Sequence, residues 1–268
     1  MRLVARLSVL LLFLIVASAL LAFQGRVFRG FDEDEDSESV PVDKNEKAEY
    51  IFARFHYNMG NGFRGFNGGF QRWAADYPKA DRQFLMGVRR LTRVQAKASS
   101  VVVDADSDDL YNWPWIYVED GGWWHLTESQ AARLRDYLLR GGFMFEEDSH
   151  GDYEWQTFID GMRMIFPDRQ VEELSNQDEI FHVMYDLDDR VQIPGTRYIW
   201  NGRPYTPDSR VPKWRGIRDD QGRIMVAICH NSDVGDAWEW ADSPRYPERA
   251  ASLAYRIGIN YIIYGMTH

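Results

Sequence analysis

Cysteine is almost absent from this chain, because Cys229 is the only one among 268 residues. A single cysteine cannot form an internal disulfide, and it cannot supply the several thiolates of a cysteine-based metal site. Positive charge is also scarce: 31 Lys and Arg stand against 41 Asp and Glu, and the formal net charge is −10. Since nucleic-acid partners favour basic patches, this balance argues against binding to DNA or RNA.

Motifs that bind phosphate or activate a serine are scarce as well. No G-x-x-x-x-G-K-[ST] run is present, which argues against a nucleoside-triphosphate site. The glycine string Gly60–Gly69, GNGFRGFNGG, is interpreted as a mobile loop rather than a phosphate cradle, so no nucleotide cofactor is expected. No G-x-S-x-G turn occurs, and the sequence therefore does not indicate a Ser-His-Asp hydrolase.

A long apolar run lies near the amino terminus, within residues 1–23. Arg2 and Arg6 form a positive start, and the apolar run Leu7–Phe23 follows them. Within it, Ala17-Ser18-Ala19 has the small-x-small form of a signal-peptidase site. The run is at the short end of what a spanning helix needs. Residues 1–23 are expected to be either a signal peptide or an N-terminal membrane anchor, and the rest of the chain then lies outside the cytoplasm.

The next segment, residues 24–49, is acidic and poor in large apolar side chains. Such a composition cannot offset the entropy cost of ordering, so this segment is expected to be a flexible tether. Residues 50–268 remain, and they are numerous enough to bury a sizeable core. We expect them to form a single domain.

Short apolar runs alternate with amphipathic segments through this domain. The predicted strands are Tyr50–Phe55, Ser100–Val103, Trp115–Val118, Phe143–Glu146 and Gly222–Cys229. The predicted helices are Asp81–Leu91, Thr127–Arg140, Tyr153–Phe166 and Pro247–Tyr264. Asp81 is expected to cap the first of them, and Thr127 and Gln130 have the spacing of a capping box at the start of the second. Apolar strands without a clean alternation are typical of burial on both faces, and strands separated by helices pair in parallel. The sequence therefore predicts an α/β fold with a doubly wound, mostly parallel sheet of the flavodoxin-like type.

Polar side chains follow the predicted strands, at the edge where the carboxyl ends of parallel strands meet and where ligands bind in such folds. The candidate catalytic residues are Asp148, Glu147 and His150, which follow the apolar strand in RGGFMFEEDSHG. The candidate ligand-binding residues are His56, Asp104, Asp233, Asp236 and Trp238. Carboxylates with imidazole can bind a divalent metal or act as general acid and base. Each Asp can equally cap a helix or close a turn.

Six separated motifs carry a resemblance to a known family. They are Ala74–Asp81 (AADYPKAD), Leu134–Asp148 (LRDYLLRGGFMFEED), Phe166–Arg169 (FPDR), Ile180–His182 (IFH), Ile228–Glu239 (ICHNSDVGDAWE) and Gly258–His268 (GINYIIYGMTH). Together they resemble domain of unknown function 4159 (DUF4159), a bacterial family of exported or membrane-associated proteins. The resemblance implies a fold similar to class I glutamine amidotransferases and to ThuA-like proteins. It implies no established activity and no catalytic residues.

The amidotransferase-like fold places a nucleophilic cysteine on the turn after a central strand. The comparable turn here carries Glu146, Glu147 and Asp148, and Cys229 falls in a different strand-like run. Cys229 is expected to be a buried packing residue. Glutamine amidotransfer is therefore not expected.

Two functions remain open on the sequence. The first is a ligand- or partner-binding module of the bacterial cell envelope, anchored in the inner membrane and facing the periplasm, or secreted to the periplasm. Its partner is then an envelope protein or a small molecule. The alternative is a carboxylate- or metal-dependent hydrolase or isomerase that acts on a carbohydrate-like substrate. A divalent metal belongs to the second hypothesis, so stabilisation by one divalent ion at low concentration would favour the enzyme.

Overall fold

A single mixed sheet organises the domain in the computed structural model, which describes residues 47–60, 71–203 and 205–268. Its strands are β1 (Ala53–His56), β2 (Val101–Asp104), β3 (Trp115–Glu119), β4 (Phe143–Glu147), β5 (Glu172–Glu173), β6 (Lys213–Arg218) and β7 (Ile224–His230). Their spatial order is β2-β1-β3-β4-β7-β6-β5. The tether and the proposed signal peptide or anchor lie outside the described residues, apart from the tether's last three.

Five neighbouring strands, from β2 to β7, are parallel. These parallel strands lie in the order β2-β1-β3-β4-β7. Counted along the chain, this is the 2-1-3-4-5 order of flavodoxin-like doubly wound sheets. β6 and β5 continue the sheet in antiparallel register beyond β7. The prediction of an α/β domain with a mostly parallel sheet is confirmed.

Helices cover both faces of the sheet. The α-helices of the described residues are α1 (Lys79–Leu91), α2 (Glu128–Leu139), α3 (Gly151–Ile165), α4 (Thr196–Ile199), α5 (Val234–Glu239) and α6 (Glu248–Thr267). Trp115 and Tyr117 of β3 pack with α1, α5 and α6, whereas Ile116 and Val118 pack with α2 and α3. Alternate residues of one strand thus enter two hydrophobic cores, which is why the strands are apolar on both faces.

The ends of the helices test the sequence predictions of caps. Thr127 and Gln130 form the predicted capping box, because Thr127 Oγ1 accepts from the Gln130 amide at 3.2 Å and Gln130 Oε1 accepts from the Thr127 amide at 3.0 Å. Asp81 was expected to cap the first helix, and this is wrong. The helix begins two residues earlier, at Lys79, and the buried Asp81 side chain turns inward to Arg54.

Cys229 lies inside β7 and is fully buried, as expected of a packing residue. Burial raises the pKa of its thiol, and the Tyr261 hydroxyl is 3.9 Å from its sulfur. A buried thiol with a raised pKa is a poor nucleophile. No helix in the part of the chain that the structure describes is both long and apolar enough to cross a membrane.

Candidate functional site

Three neighbouring parallel strands end in the same way. Asp120 follows β3, Asp148 follows β4 and Asn231 follows β7, and all three are left-handed, with φ of 53°, 63° and 64°. Asp and Asn tolerate this conformation better than other non-glycine residues. The turns are joined to one another, since the Asp148 amide donates to Ser232 O at 3.0 Å and the Asn231 amide donates to Ser149 O at 2.9 Å. The sequence thus builds a row of sharp turns along the carboxyl edge.

Two of these three side chains hold the surrounding chain in place. Asp120 pairs with Arg72 at 2.8 Å. Asn231 accepts from the Gly151 amide at 2.9 Å and donates to the carbonyls of Asp208 and Val211. These contacts give Asp120 and Asn231 structural roles that need no ligand.

Asp148 differs from the other two. Its Oδ1 lies 3.0 Å from His150 Nε2, although the two are not aligned for a hydrogen bond. Burial opposes ionisation, but the adjacent His150 and the charge of Arg197 outweigh it and hold the pKa of Asp148 below its ordinary value. Asp148 is thus an ionised carboxylate on a left-handed turn, with its side chain 13% exposed. A residue kept in an uncommon backbone conformation is often functional.

Glu147, a predicted catalytic residue, bonds to the start of α5, and a catalytic role for it stays a prediction. It is fully buried at the end of β4, and its carboxylate accepts from the Tyr117 hydroxyl and from the amides of Val234 and Gly235. These amides begin α5, so Glu147 fixes the start of that helix. Burial and the neighbouring Asp148 raise the pKa of Glu147 to about 8.

Asp233 and Asp236 do lie beside Asp148, as the sequence predicts. Asp233 caps α5, because its Oδ1 accepts from the Asp236 amide at 2.8 Å. Asp236 Oδ2 accepts from the amide and hydroxyl of Thr196 at 2.6 Å and 2.9 Å. Burial, Asp148 and Asp236 raise the pKa of Asp233, so these carboxylates form one interacting group.

His56 and Asp104 lie elsewhere on the same edge. They end β1 and β2, face one another in the strand register, and form an ion-pair contact. β1 lies two strands away from β4, which corresponds to about 10 Å at the usual strand spacing. The other ring contact of His56 is with Trp73. The structure therefore places this pair apart from Asp148 and Asp233.

Trp238 was expected to bind a ligand, and the structure places it in the core. It is fully buried on α5 and stacks on Phe84 with ring centroids 4.0 Å apart. Both residues belong to the core between the sheet and helices α1 and α6. A ring buried in this way offers no face to a ligand, so the prediction for Trp238 is wrong.

Sequence reasoning missed several residues of this edge. Asp76 adjoins the Asp233 and Asp236 carboxylates. Arg197, Tyr198 and Tyr205 cover Asp148 and His150, and Tyr198 and Tyr205 stack on one another at 3.7 Å. Asp76 stands in the family-like motif AADYPKAD, which was a usable signal. The others lie in a stretch of broken pattern, where nothing in the sequence indicates proximity.

A buried ion-pair network connects β1, β3 and α1 next to this edge. Arg54 of β1 donates to Asp81 Oδ1 from Nε at 3.0 Å and from Nη2 at 2.6 Å, and its Nη1 lies 3.4 Å from Glu119 Oε2. All three side chains are fully buried. Its Nη1 also donates to the carbonyls of Trp73 and Ala75, which precede Asp76. Arg54 therefore ties the sheet to the segment that carries Asp76.

A search against protein families matches residues 52–266 to the family described as Domain of unknown function (DUF4159). The match covers most of the chain. This protein belongs to the DUF4159 family. A search of curated proteins found no match. The motifs of the DUF4159 chain that meet at the carboxyl edge are the ones carrying Asp76, Asp148, Asp233 and Asp236, whereas GINYIIYGMTH lies in α6.

The glycine string is only partly placed, because residues 61–70 lie outside the described part of this DUF4159 domain. Its first six residues, GNGFRG, do have the G-x-G-x-x-G spacing of dinucleotide-binding loops. That motif follows directly on its strand, whereas β1 ends at His56 and the string begins at Gly60. The expectation of no nucleotide cofactor stays a prediction.

Proposed function

We propose that the domain is a binding module of the cell envelope whose ligand is a small, polyhydroxylated molecule held at Asp148 and His150. The observation that carries this proposal is a group of buried polar atoms that make no aligned hydrogen bond among the described residues. They are His150 Nδ1, the Tyr205 hydroxyl, and the facing atoms Asp148 Oδ1 and His150 Nε2, which are 3.0 Å apart. Buried polar atoms in native proteins are nearly always paired, so such a group indicates a partner that the chain does not supply.

The chemistry of these atoms favours hydroxyl groups. A hydroxyl can donate to a carboxylate and can either donate to or accept from an imidazole nitrogen. The stacked rings of Tyr198 and Tyr205 add an aromatic wall beside His150, and Arg197 provides further donors. A sugar or sugar-like molecule has hydroxyl groups that can bond to the carboxylate and the imidazole, and it has a ring face that can stack on the tyrosines.

A small molecule fits this site better than a protein partner. The His150 side chain is only 4% exposed and that of Asp148 is 13% exposed. The broad surface of a partner protein cannot reach atoms at that depth, so the proposal is restricted to a small molecule. Attachment to the envelope is supported by residues 1–23 of the sequence alone, and it is also part of the proposal.

Thermal melting of the full-length protein tests the binding proposal. We expect glucose, N-acetylglucosamine or their β-linked disaccharides to raise the melting temperature, and Asp148→Asn and Tyr205→Phe to abolish that rise. Asp148→Asn should also lower the unliganded melting temperature modestly, because the lowered pKa shows that His150 and Arg197 favour the charged carboxylate in the folded protein. Asp168→Asn, which removes an exposed carboxylate paired with Arg135, is the matched control and should respond like the wild type.

Two outcomes would reject this function. One is that none of these sugars shifts the wild-type melting temperature. The other is that Asp148→Asn still responds to sugar as the wild type does, since that behaviour marks a purely structural carboxylate.

A hydrolase or isomerase is the second candidate function, and the left-handed turn at Asp148 favours it. An acidic group on a sharp strand-to-helix turn is presented to substrate in the same way as the nucleophile of the α/β-hydrolase turn. An ionised Asp148 could accept a proton from water or a sugar hydroxyl, with His150 at 3.0 Å as the next proton carrier.

Turnover of 4-nitrophenyl glycosides separates catalysis from binding. An enzyme that uses this pair should release nitrophenol, and His150→Gln should lower kcat by about 10²-fold or more, the usual contribution of general acid–base catalysis. Asp168→Asn again serves as the control. Sugar binding without turnover of any of these glycosides would leave the binding module as the function.

A further inference from the structure

A second feature of the carboxyl edge is a group of three carboxylates from separate parts of the chain. Asp76 precedes α1, Asp233 caps α5, and Asp236 lies in the first turn of α5. One oxygen from each lies within 4.8 Å of the other two. Oxygens bound to a Ca²⁺ ion at about 2.4 Å lie at most about 4.8 Å apart, so the spacing suits a shared cation.

The chain does not neutralise this group. No Lys or Arg pairs with Asp76, Asp233 or Asp236 within residues 47–60, 71–203 and 205–268. Arg54 is committed to Asp81 and Glu119, and Arg197 interacts mainly with Asp148. Buried carboxylates this close repel one another unless protons or a metal ion lie between them.

Glu119 supplies an independent sign of a missing partner. It is fully buried, and its Oε1 has no hydrogen-bond partner among the described residues. A Cβ built on Gly235 would lie 2.9 Å from Glu119 Oε2 and 2.7 Å from Asp76 Oδ2, so both carboxylates border one small space. Oε2, which borders this space, accepts from Arg54 and from the Tyr117 hydroxyl, so Oε1 is the oxygen of this buried carboxylate that lacks a partner.

Two glycines approach these carboxylates closely. Gly235 lies against Asp76 and Glu119, and at Gly195 a Cβ would lie 2.4 Å from Asp233 Oδ2 and 3.3 Å from Asp236 Oδ2. Any larger residue at either position would enter the space between the carboxylates. An approach this close by two glycines is a common feature of ligand sites.

The carboxylates are also held in position by hydrogen bonds from the chain. The Asp236 amide donates to Asp233, and Thr196 donates twice to Asp236. Carboxylates that bind metals are usually oriented by such outer hydrogen bonds. The atoms that would bind the metal are all hard carboxylate oxygens, which suit Ca²⁺, Mg²⁺ and Mn²⁺ and do not suit soft metals.

We propose that Asp76, Asp233 and Asp236 hold one hard divalent cation, with the buried Glu119 next to Asp76. The cation links the segment before α1 to the start of α5 and offsets the repulsion among these carboxylates. This cation site goes beyond the sugar-binding proposal, because none of its metal ligands is Asp148, His150 or Tyr205. Asp148 adjoins Asp233, so the cation would lie next to the sugar without depending on it.

Calorimetric titration of the EDTA-treated, full-length protein with CaCl2, MgCl2 and MnCl2 tests the cation site. We expect at least one of these ions to bind one per chain and to raise the melting temperature. Asp76→Asn and Asp236→Asn should each weaken that binding at least tenfold. Asp160→Asn, which removes an exposed carboxylate paired with Arg163, is the matched control and should bind like the wild type.

The outcome separates this proposal from the sugar-binding one. Tyr205→Phe should keep cation binding and lose the sugar response, so either proposal can fail alone. If an Asp variant does not fold, Tb³⁺ luminescence excited through Tyr and Trp of the wild type still decides, because Tyr117 borders the space beside Gly235. Absence of a stoichiometric cation in the wild type, or wild-type affinity in both Asp variants, would overturn the proposal and leave protons as the neutralising species.

Discussion

Replacing Arg54 by Met is expected to destabilise the domain by about 3–5 kcal/mol, the usual result of removing one partner of a buried ion pair. The change leaves Asp81 without its cation in a fully buried position and takes the nearest positive charge away from Glu119. It also removes the donors to the carbonyls of Trp73 and Ala75. Urea unfolding of the purified variant measures the loss.

The control for Arg54 is an ion pair on the surface. Arg140 and Asp136 are in contact at 2.8 Å on α2, but both are well exposed. Arg140→Met should leave the free energy of unfolding nearly unchanged, because water replaces such a pair at little cost. Asp81→Leu added to Arg54→Met should recover part of the loss, since no buried charge then remains at that position. Equal effects of Arg54→Met and Arg140→Met would contradict the assigned network.

Stability is expected to fall as the pH rises from 6.5 to 8 in the presence of EDTA. Burial and Asp148 raise the pKa of Glu147 to about 8, so the folded protein keeps a proton that the unfolded chain has already released. Such a group stabilises the fold most at low pH, and its contribution is lost as the pH passes through the raised pKa. At about 1.4 kcal/mol per proton and pH unit, Glu147 alone accounts for a loss of roughly 1.5–2 kcal/mol.

Other groups define the useful pH range for this measurement. Burial lowers the pKa of His230 to about 4, which makes the fold less stable as the pH falls below the ordinary pKa of histidine. Burial also raises the pKa of Glu119 and Glu146, which adds to the loss at higher pH. Above pH 6.5 the contribution of His230 is nearly constant, so it no longer opposes the contributions of the buried carboxyl groups. The free energy of unfolding should therefore decrease steadily with pH in this range.

Glu147→Gln is the matched variant for the pH measurement. A glutamine cannot ionise, and its single oxygen can accept from only one of the two α5 amides, which bond different oxygens of Glu147. The variant should therefore be less stable at pH 6.5 but should show a shallower decrease between pH 6.5 and 8. A wild-type stability that is flat or rising over this range, or an unchanged slope in Glu147→Gln, would contradict the raised pKa.

The carboxyl edge thus combines structural and reactive acidic groups. Asp120 and Glu147 bond to other parts of the chain, and Asp148 contacts His150. Among the described residues, no Lys or Arg forms an ion pair with Asp76, Asp233 or Asp236. The likeness to class I glutamine amidotransferases and ThuA-like proteins stays a prediction. If that prediction holds, the turn that corresponds to the cysteine-bearing turn of the amidotransferases carries Asp148, and the reaction would differ even on a shared fold.

Local patterns accounted for most of the sheet. Trp115–Val118 and Phe143–Glu146 were placed to within one residue of β3 and β4, because these strands are apolar on both faces and bounded by turns. The capping box at Thr127 was predicted because both of its hydrogen bonds join residues three apart. The prediction failed at Asp81, where a contact with Arg54 across 27 positions decides the direction of the side chain.

The sequence by itself determined the α/β class, the parallel core of the sheet and the edge at which polar residues collect. These depend on hydrophobic periodicity and on short-range hydrogen bonds, which neighbouring residues settle among themselves. Only the tertiary structure decided which acidic groups meet. It paired His56 with Asp104, buried Trp238, and brought Asp76 to Asp233 and Asp236. Those outcomes depend on contacts between segments far apart in the chain, because packing sets them and no local pattern encodes them.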